Sequence, residues 1–597
     1  MVLFESINNF ANPSSNGMPG GRRRRLYIPP STNFPLFSYG VGDDQRSFLS
    51  LIENASSVGG DDISDAASVS TSRSLPSTLS SVHATDDQES FHSWLVEEHQ
   101  RRYNATTEDS DTNEDGGLLE SSGSIHSETK SIEELINFQT TYSTEVKVLF
   151  SYSFPLIITF ILEHFFSIVC LLVVGHLGKV ELAAVSLATM TSTITFAIFE
   201  GTATALDTLC PRAYGAGNYE LMSLRVQRCM LLSWLMFIPC AFVWWNAAFF
   251  LKYVIASNEV VRLTTQFLRI LIIGGPAYIF FEDGKRFLQA QGIFEAGTGI
   301  LFVTAPINIF ASWYLVWNET HGIGFIGAPI VAAANFWLMA ILMVLYVRYI
   351  DGSACWFGIF SLKELTSEWN QLLHLAIPGV IMLESEYVAY EIMTLFASYF
   401  GTTELAAQSA VSSIASVIYM VPFAVSIAAS TRIANYIGAQ NIIAAKMATL
   451  TALITSIAVG MTNCILLIVF RFHIARLFTR DPEVIELVGD LFFPLVGFIQ
   501  LFDSVASVSN GVLRAQGGQR IGGVINFLAY YAFGLPLALV LCKFLDLKLK
   551  GLWLGIGSGM VLIAISEPAY IFFTDWELII MRAGIYNDDS DSEVASI

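Results

Sequence analysis

From residue 149 onward the chain is built of long apolar runs separated by short polar breaks. A helix needs ~20 mostly apolar residues to cross the hydrocarbon core of a bilayer. Runs of that kind lie near 149–174, 181–205, 229–251, 263–282, 296–317, 327–350, 374–400, 405–428, 447–470, 485–508, 524–545 and 552–574. They predict twelve transmembrane helices. Pro155, Pro239, Pro276, Pro306, Pro378, Pro422, Pro494, Pro536 and Pro568 interrupt several of them. Such breaks are tolerated where neighbouring helices or water satisfy the freed carbonyl. The pattern is absent from residues 1–145, which are rich in Ser, Thr, Asn and Gly and carry 22 acidic against 9 basic side chains. With so little apolar surface to offset the entropy of ordering, this segment is expected to be a disordered tail.

Composition agrees with a membrane protein and narrows the function. Hydrophobic residues make up 53% of the chain, charged ones 14%, and mean hydropathy is +0.53. Soluble proteins carry about 25% charge, so a soluble enzyme is excluded. A net charge of −20 argues against nucleic acid, whose phosphates need a basic face. The acid is concentrated in the tails, where Asp588, Asp589, Asp591 and Glu593 close the sequence. The seven cysteines form no CxxC pair, and neither HExxH nor GxSxG occurs, so no enzymatic activity, metal or cofactor is expected. An even number of spans puts both tails on one side, taken to be the cytosol. Thirteen basic residues then fall on that side, among them Arg212, Arg225, Arg228, Lys285, Arg286, Arg432 and Arg514, against nine opposite.

Sliding the sequence along itself reveals a repeat. At an ungapped offset of 223, Pro155 meets Pro378, Gly178 meets Gly401, and Glu181-Leu-Ala-Ala meets Glu404-Leu-Ala-Ala. The same register superposes Glu163 on Glu386, Gly215-Ala216 on Gly438-Ala439 and Asn218 on Asn441. The fold class that follows is an all-α membrane protein of twelve helices in two pseudo-symmetric six-helix lobes. The lobes span 146–350 and 374–575, joined by a linker at 351–373, with an acidic tail at 576–597. An even count of six keeps both halves in the same orientation, the parallel-repeat arrangement of many secondary transporters, with the substrate site between the halves.

Several motifs resemble one family. Val174-Gly-His-Leu-Gly178, Ala205-Leu-Asp-Thr-Leu-Cys210, Ala213-Tyr-Gly-Ala-Gly217, Phe287-Leu-Gln-Ala-Gln291, Leu375-Ala-Ile-Pro378, Tyr419-Met-Val-Pro422, Gly511-Val-Leu-Arg514 and Asn526-Phe-Leu-Ala-Tyr-Tyr531 occur in order over roughly 149–575. They are similar to the eukaryotic, fungal-like branch of the multidrug and toxic compound extrusion (MATE) family. The resemblance implies two lobes forming a V and export of organic compounds in exchange for H⁺ or Na⁺. It also places a pair of Glu five residues apart at Glu386 and Glu391, with an acid that completes a cation site at Asp503. The two aromatic residues that often follow the first Glu are here Tyr387 and Val388.

Acids inside a bilayer are costly and mark ion or proton pathways by default. Here they are Glu163, Glu200, Glu384, Glu386, Glu391, Asp503 and Glu567. Glu386, Glu391, Asp503 and Glu163 are the expected coupling-ion or proton residues, with Glu384, Glu200 and His164 behind them. The first half offers Glu163 alone at the depth where the second half crowds its acids, so the second lobe is expected to bind the ion. Tyr390 and Tyr419 are the candidate substrate-lining aromatics, since ring faces attract organic cations. A small organic molecule and the surrounding lipid are the expected partners of a monomer in the plasma membrane or a vacuolar or other endomembrane. A flippase for lipid-linked precursors is the alternative, and would need several Arg or Lys lining the cavity.

Overall fold

A computed structural model describes residues 140–584, apart from 254, 256, 319–321, 479 and 480. The expectation of disorder for the amino-terminal tail therefore falls outside the described residues up to 139, as does the acidic end after 584. Helices dominate what is described. They are α1 (Tyr142–Gly175), α2 (Lys179–Gly215), α3 (Tyr219–Trp245), α4 (Asn258–Leu271 and Gly275–Ala290), α5 (Glu295–Trp317) and α6 (Gly324–Tyr349). After the linker come α7 (Trp369–Ala397), α8 (Thr403–Gly438), α9 (Ile442–Arg476), α10 (Pro482–Ala515), α11 (Gln519–Phe544) and α12 (Lys548–Phe573). Eleven are single apolar helices long enough to cross a bilayer, and α4 is a pair bent by 56°.

Two tail boundaries move. The amino-terminal tail was expected to run to 145, yet α1 begins at Tyr142, with Thr141 capping it through Thr144 N. Glu145 is buried and ion-paired, which a solvated tail would not permit. At the other end, Trp576, Ile579 and Ala583 are buried against residues of α8, α9 and α10 instead of starting a free tail.

The repeat is visible in the packing. Within the first half α1 packs on α5, α2 on α4, α3 on α4, and α5 on α6; within the second, α7 on α11, α8 on α10, α9 on α10, and α11 on α12. The turns repeat atom by atom. Asn218 N donates to Ala213 O at 2.9 Å, and Asn441 N to Tyr436 O at 2.9 Å. Asn218 Oδ1 then caps α3 through Leu221 N, and Asn441 Oδ1 caps α9 through Ala444 N, both at 3.0 Å. Each turn needs one left-handed residue to stop the preceding helix. The first half supplies Gly217 (φ 75°), and the second supplies Gln440 (φ 58°).

The lobes meet at the basal end, where α1 starts and α2, α8 and α10 finish. There α2 crosses α8 so closely that a Cβ added at Gly215 would lie 2.1 Å from Asn435 O. Its repeat mate Gly438 would meet Arg212 O at the same 2.1 Å. Small residues of this kind let membrane helices approach to backbone contact. Beside the crossing, Asp207 of α2 pairs with Arg286 Nε of α4 (3.0 Å) and Arg514 Nε of α10 (3.6 Å). Arg212 donates to Ala515 O through Nη2 (2.8 Å) and Nε (3.3 Å). Glu145 of α1 holds Arg432 of α8 at 3.0 and 3.1 Å and accepts from Tyr436 at 2.7 Å. Arg225 donates to Leu209 O, and Arg228 pairs with Glu368 of the linker. Seven of the thirteen basic residues assigned to cytosolic loops are thus buried side chains on helices. They bind acids and carbonyls, so the charge bias they lent to the orientation comes partly from packing.

Candidate coupling-ion and substrate site

In the second lobe α7 supplies Glu386 from its middle. The hydroxyl of Tyr419, on α8, donates to Glu386 Oε2 at 3.4 Å. Asp503 of α10 is buried and lies close enough to Glu386 for their charges to interact. Gln500 Nε2 donates to Asp503 Oδ2 at 3.2 Å, one turn earlier on the same helix. Two of the four expected coupling residues are therefore neighbours, drawn from separate helices.

Helices α10 and α11 each contain an irregular turn. Phe493 of α10 leaves helical geometry (φ −121°, ψ 124°) inside a widened turn at Phe492–Val496. A second π-helical turn, Leu528–Gly534 of α11, carries Tyr530 and Tyr531, and Tyr531 Oη donates to Ser385 O at 3.3 Å. Such bulges recur at functional sites because they re-aim side chains without ending the helix.

The remaining candidates separate. Glu391 lies five residues, about 140° of helix rotation, from Glu386 and is half-buried with no hydrogen-bond partner among the described residues. Glu384 turns one buried carboxyl oxygen into the protein without a partner. Glu567 of α12 is fully buried with both oxygens unpartnered, and Arg514 is the cation acting on it. Tyr390 packs edge-on against Trp553 at 5.8 Å, at the margin of the second lobe's core. Tyr419 instead stacks on Phe423 (5.7 Å), and Phe423 meets Phe160 of α1 across the lobes (5.3 Å).

The first lobe is richer than Glu163 alone. Lys285 Nζ lies 2.6 Å from Glu163 Oε1 and 2.6 Å from Glu282 Oε1. Glu200 accepts a hydrogen bond from Tyr278 of α4, and its surroundings include Glu282, Lys285 and Glu163. Tyr278 stacks on Phe196 at 4.2 Å. His164 is half-buried without a hydrogen-bond partner among the described residues. Consecutive helical side chains diverge by about 100°, and Glu163 pairs with Lys285 of α4 and not with the adjacent His164.

Sequence reasoning missed Glu282, Asp283 and Lys285. The fourth apolar run ended at 282, since a hydropathy criterion stops where charge begins. The helix restarts at Gly274-Gly275-Pro276, with proline suited to a first turn, and runs on to Ala290. The available signal was Glu282 and Lys285 at i, i+3, a spacing that pairs charges on one helix face.

Comparison with known proteins agrees with this architecture. The MatE family pattern matches twice, at residues 155–314 and 378–540, so its two copies begin at the repeat-related Pro155 and Pro378. An uncharacterized transporter of Saccharomyces cerevisiae is 52% identical over 469 residues, 79% of this chain and 67% of that protein. Protein DETOXIFICATION 16 of Arabidopsis thaliana is 32% identical over 454 residues, 74% of this chain and 91% of its own. The crystal structure of the eukaryotic MATE transporter AtDTX14 superposes with a TM-score of 0.70 at 27% identity, covering 74% of this chain and 98% of that one. The chain belongs to the eukaryotic MATE transporters.

Proposed function

We propose that this protein is a secondary antiporter that expels organic, chiefly cationic, compounds from the cytosol in exchange for H⁺ or Na⁺. The observation that carries the reading is the Glu386–Asp503 pair with the Tyr419 hydroxyl, set beside the Tyr419–Phe423–Phe160 rings that bridge the lobes. Two ionised carboxylates in a poorly hydrated site repel each other. A shared proton or a sodium ion relieves that repulsion, and so do cationic groups of a substrate. Ion and substrate therefore oppose one another at one place, which is what exchange requires.

Coupling residues are Glu386 and Asp503, with Glu391 on another face of α7, and the second lobe is the ion-binding one. Tyr419 and Phe423 supply the aromatic surface, each ring face contributing ~0.5–2 kcal/mol toward an organic cation. The basal contacts close the cytosolic end in this state, and transport requires them to separate and re-form. The flippase alternative loses its support, because Lys285, Arg286 and Arg514 are each engaged by acids and present no free cationic lining. The test is uptake of ethidium into proteoliposomes under an imposed pH or Na⁺ gradient. Uptake accelerated by one of the gradients supports exchange; uptake indifferent to both contradicts it.

A further inference from the structure

The first lobe holds an intramembrane lysine bound by two carboxylates that are not equivalent. Glu282 shares α4 with Lys285, and its side chain is 5% exposed; Lys285 itself is 3% exposed. Glu163 comes from α1 and is 27% exposed. The face on which Glu163 stands is set by Phe160, one helical turn earlier, whose ring meets Phe423 of the opposite lobe. Glu163 therefore stands beside the aromatic contact between the lobes, which continues through Phe423 to Tyr419 and Glu386.

Breaking a buried ion pair is ordinarily costly, because one charge is left uncompensated. Here that cost is avoided. Should Glu163 swing away from Lys285, the ammonium keeps Glu282 at 2.6 Å on its own helix and remains over the Phe281 ring at 5.2 Å. Three carboxyls, Glu163, Glu200 and Glu282, surround this one ammonium. Arg286 on the same helix is taken by Asp207. The lobe thus contains a cation that can release one partner without being stranded, and that partner is the one reachable from between the lobes.

We infer that Glu163 is a substrate-binding carboxylate for organic cations and that Lys285 is a tethered competitor for it, parked on Glu282 when substrate arrives. This rests on the reading of the protein as an organic-cation transporter and adds where in the first lobe the cation is held. Lys285 sets affinity from within: the tighter it holds Glu163, the weaker the substrate binds. The ligand class is a flat or aromatic organic cation, which can use the carboxylate and the Phe160–Phe423 surface together.

The test is equilibrium binding of ethidium to the purified full-length protein by fluorescence anisotropy, without any ion gradient. Glu163→Gln should weaken binding roughly tenfold, about 1.4 kcal/mol. Glu282→Gln, buried and out of contact with ligand, should also weaken it, by about threefold or more, because Lys285 is left with Glu163 as its partner in the pair. Removing both competitor and holder, Lys285→Met with Glu282→Gln, should tighten binding by about threefold or more. Lys285→Arg keeps the charge and holds two carboxylates in a fixed fork; it decides the matter if the double variant does not fold, and should weaken binding. Unchanged affinity in Glu282→Gln, or tighter binding in Lys285→Arg, overturns the competitor role. A parent that binds ethidium but shows no gradient-driven uptake contradicts exchange while leaving this site standing, so the two failures can be told apart.

Discussion

Single residues carry most of the chemistry, and their roles follow from what each can reach. Glu386 and Asp503 were legible in the sequence because a carboxyl within an apolar run has no cheap structural explanation. That Asp503, and not the nearer Glu391, becomes the neighbour of Glu386 was not legible, since it depends on where α10 passes α7. Lys285 escaped for the opposite reason: its charges cluster at the end of an apolar run and look like a loop until the bend in α4 carries them inside. Gln440 gives a residue-scale prediction. It occupies a left-handed position that its repeat mate fills with Gly217, and a side chain there costs about 1 kcal/mol. Gln440→Gly should therefore raise stability by about 0.5–1 kcal/mol, read as a higher melting temperature in detergent. A lower melting temperature would show that the Gln440 side chain makes a compensating contact.

Among the elements, the paired crossing of α2 and α8 governs how the lobes meet. The apolar runs located every span but stopped ten residues short of the ends of α2 and α8 and began ten residues after the start of α3, and the offset of 223 named the glycines that now prove to lie at the crossing. The sequence could not show that Gly215 and Gly438 face each other's backbones, because a repeat gives equivalence and not contact. Gly438→Val would drive its side chain into Arg212 O and part the two helices near the Arg212–Ala515 and Asp207–Arg514 contacts. The expected cost is about 2–4 kcal/mol, as for overpacking together with a strained buried ion pair. Thermal unfolding and accessibility to a thiol reagent of a cysteine placed at Thr208 would both report it. Unchanged melting and unchanged labelling would show that the crossing has more freedom than its geometry implies. In the linker, Glu364 and Ser361 cap a short helical turn reciprocally, and those hydrogen bonds hold the Glu364 carboxyl below its ordinary value.

The whole molecule is two copies of one packing pattern that have diverged in charge. The second lobe places Glu386 near Asp503, whereas the first sets Lys285 between Glu163 and Glu282. The repeat predicted the shared architecture; the division of labour appears only when Lys285 is seen between Glu163 and Glu282. The acidic amino-terminal segment lies outside both copies of the repeat. Deleting residues 1–130 should leave the transport rate per reconstituted molecule within about twofold of the parent, since that segment precedes both copies of the repeat. A severalfold drop in turnover would assign the segment a direct part in transport.

Exchange at the Glu386–Asp503 pair is open to a direct measurement. Ethidium uptake driven by an imposed pH or Na⁺ gradient is compared between proteoliposomes holding the parent and those holding Glu386→Gln at equal reconstituted protein. Gln keeps the volume and can still accept a hydrogen bond from Tyr419, but it neither carries the charge nor titrates. The predicted result is loss of gradient-driven uptake in Glu386→Gln, with ethidium still bound by the protein. Uptake that responds to the gradient as strongly as in the parent would contradict the assignment.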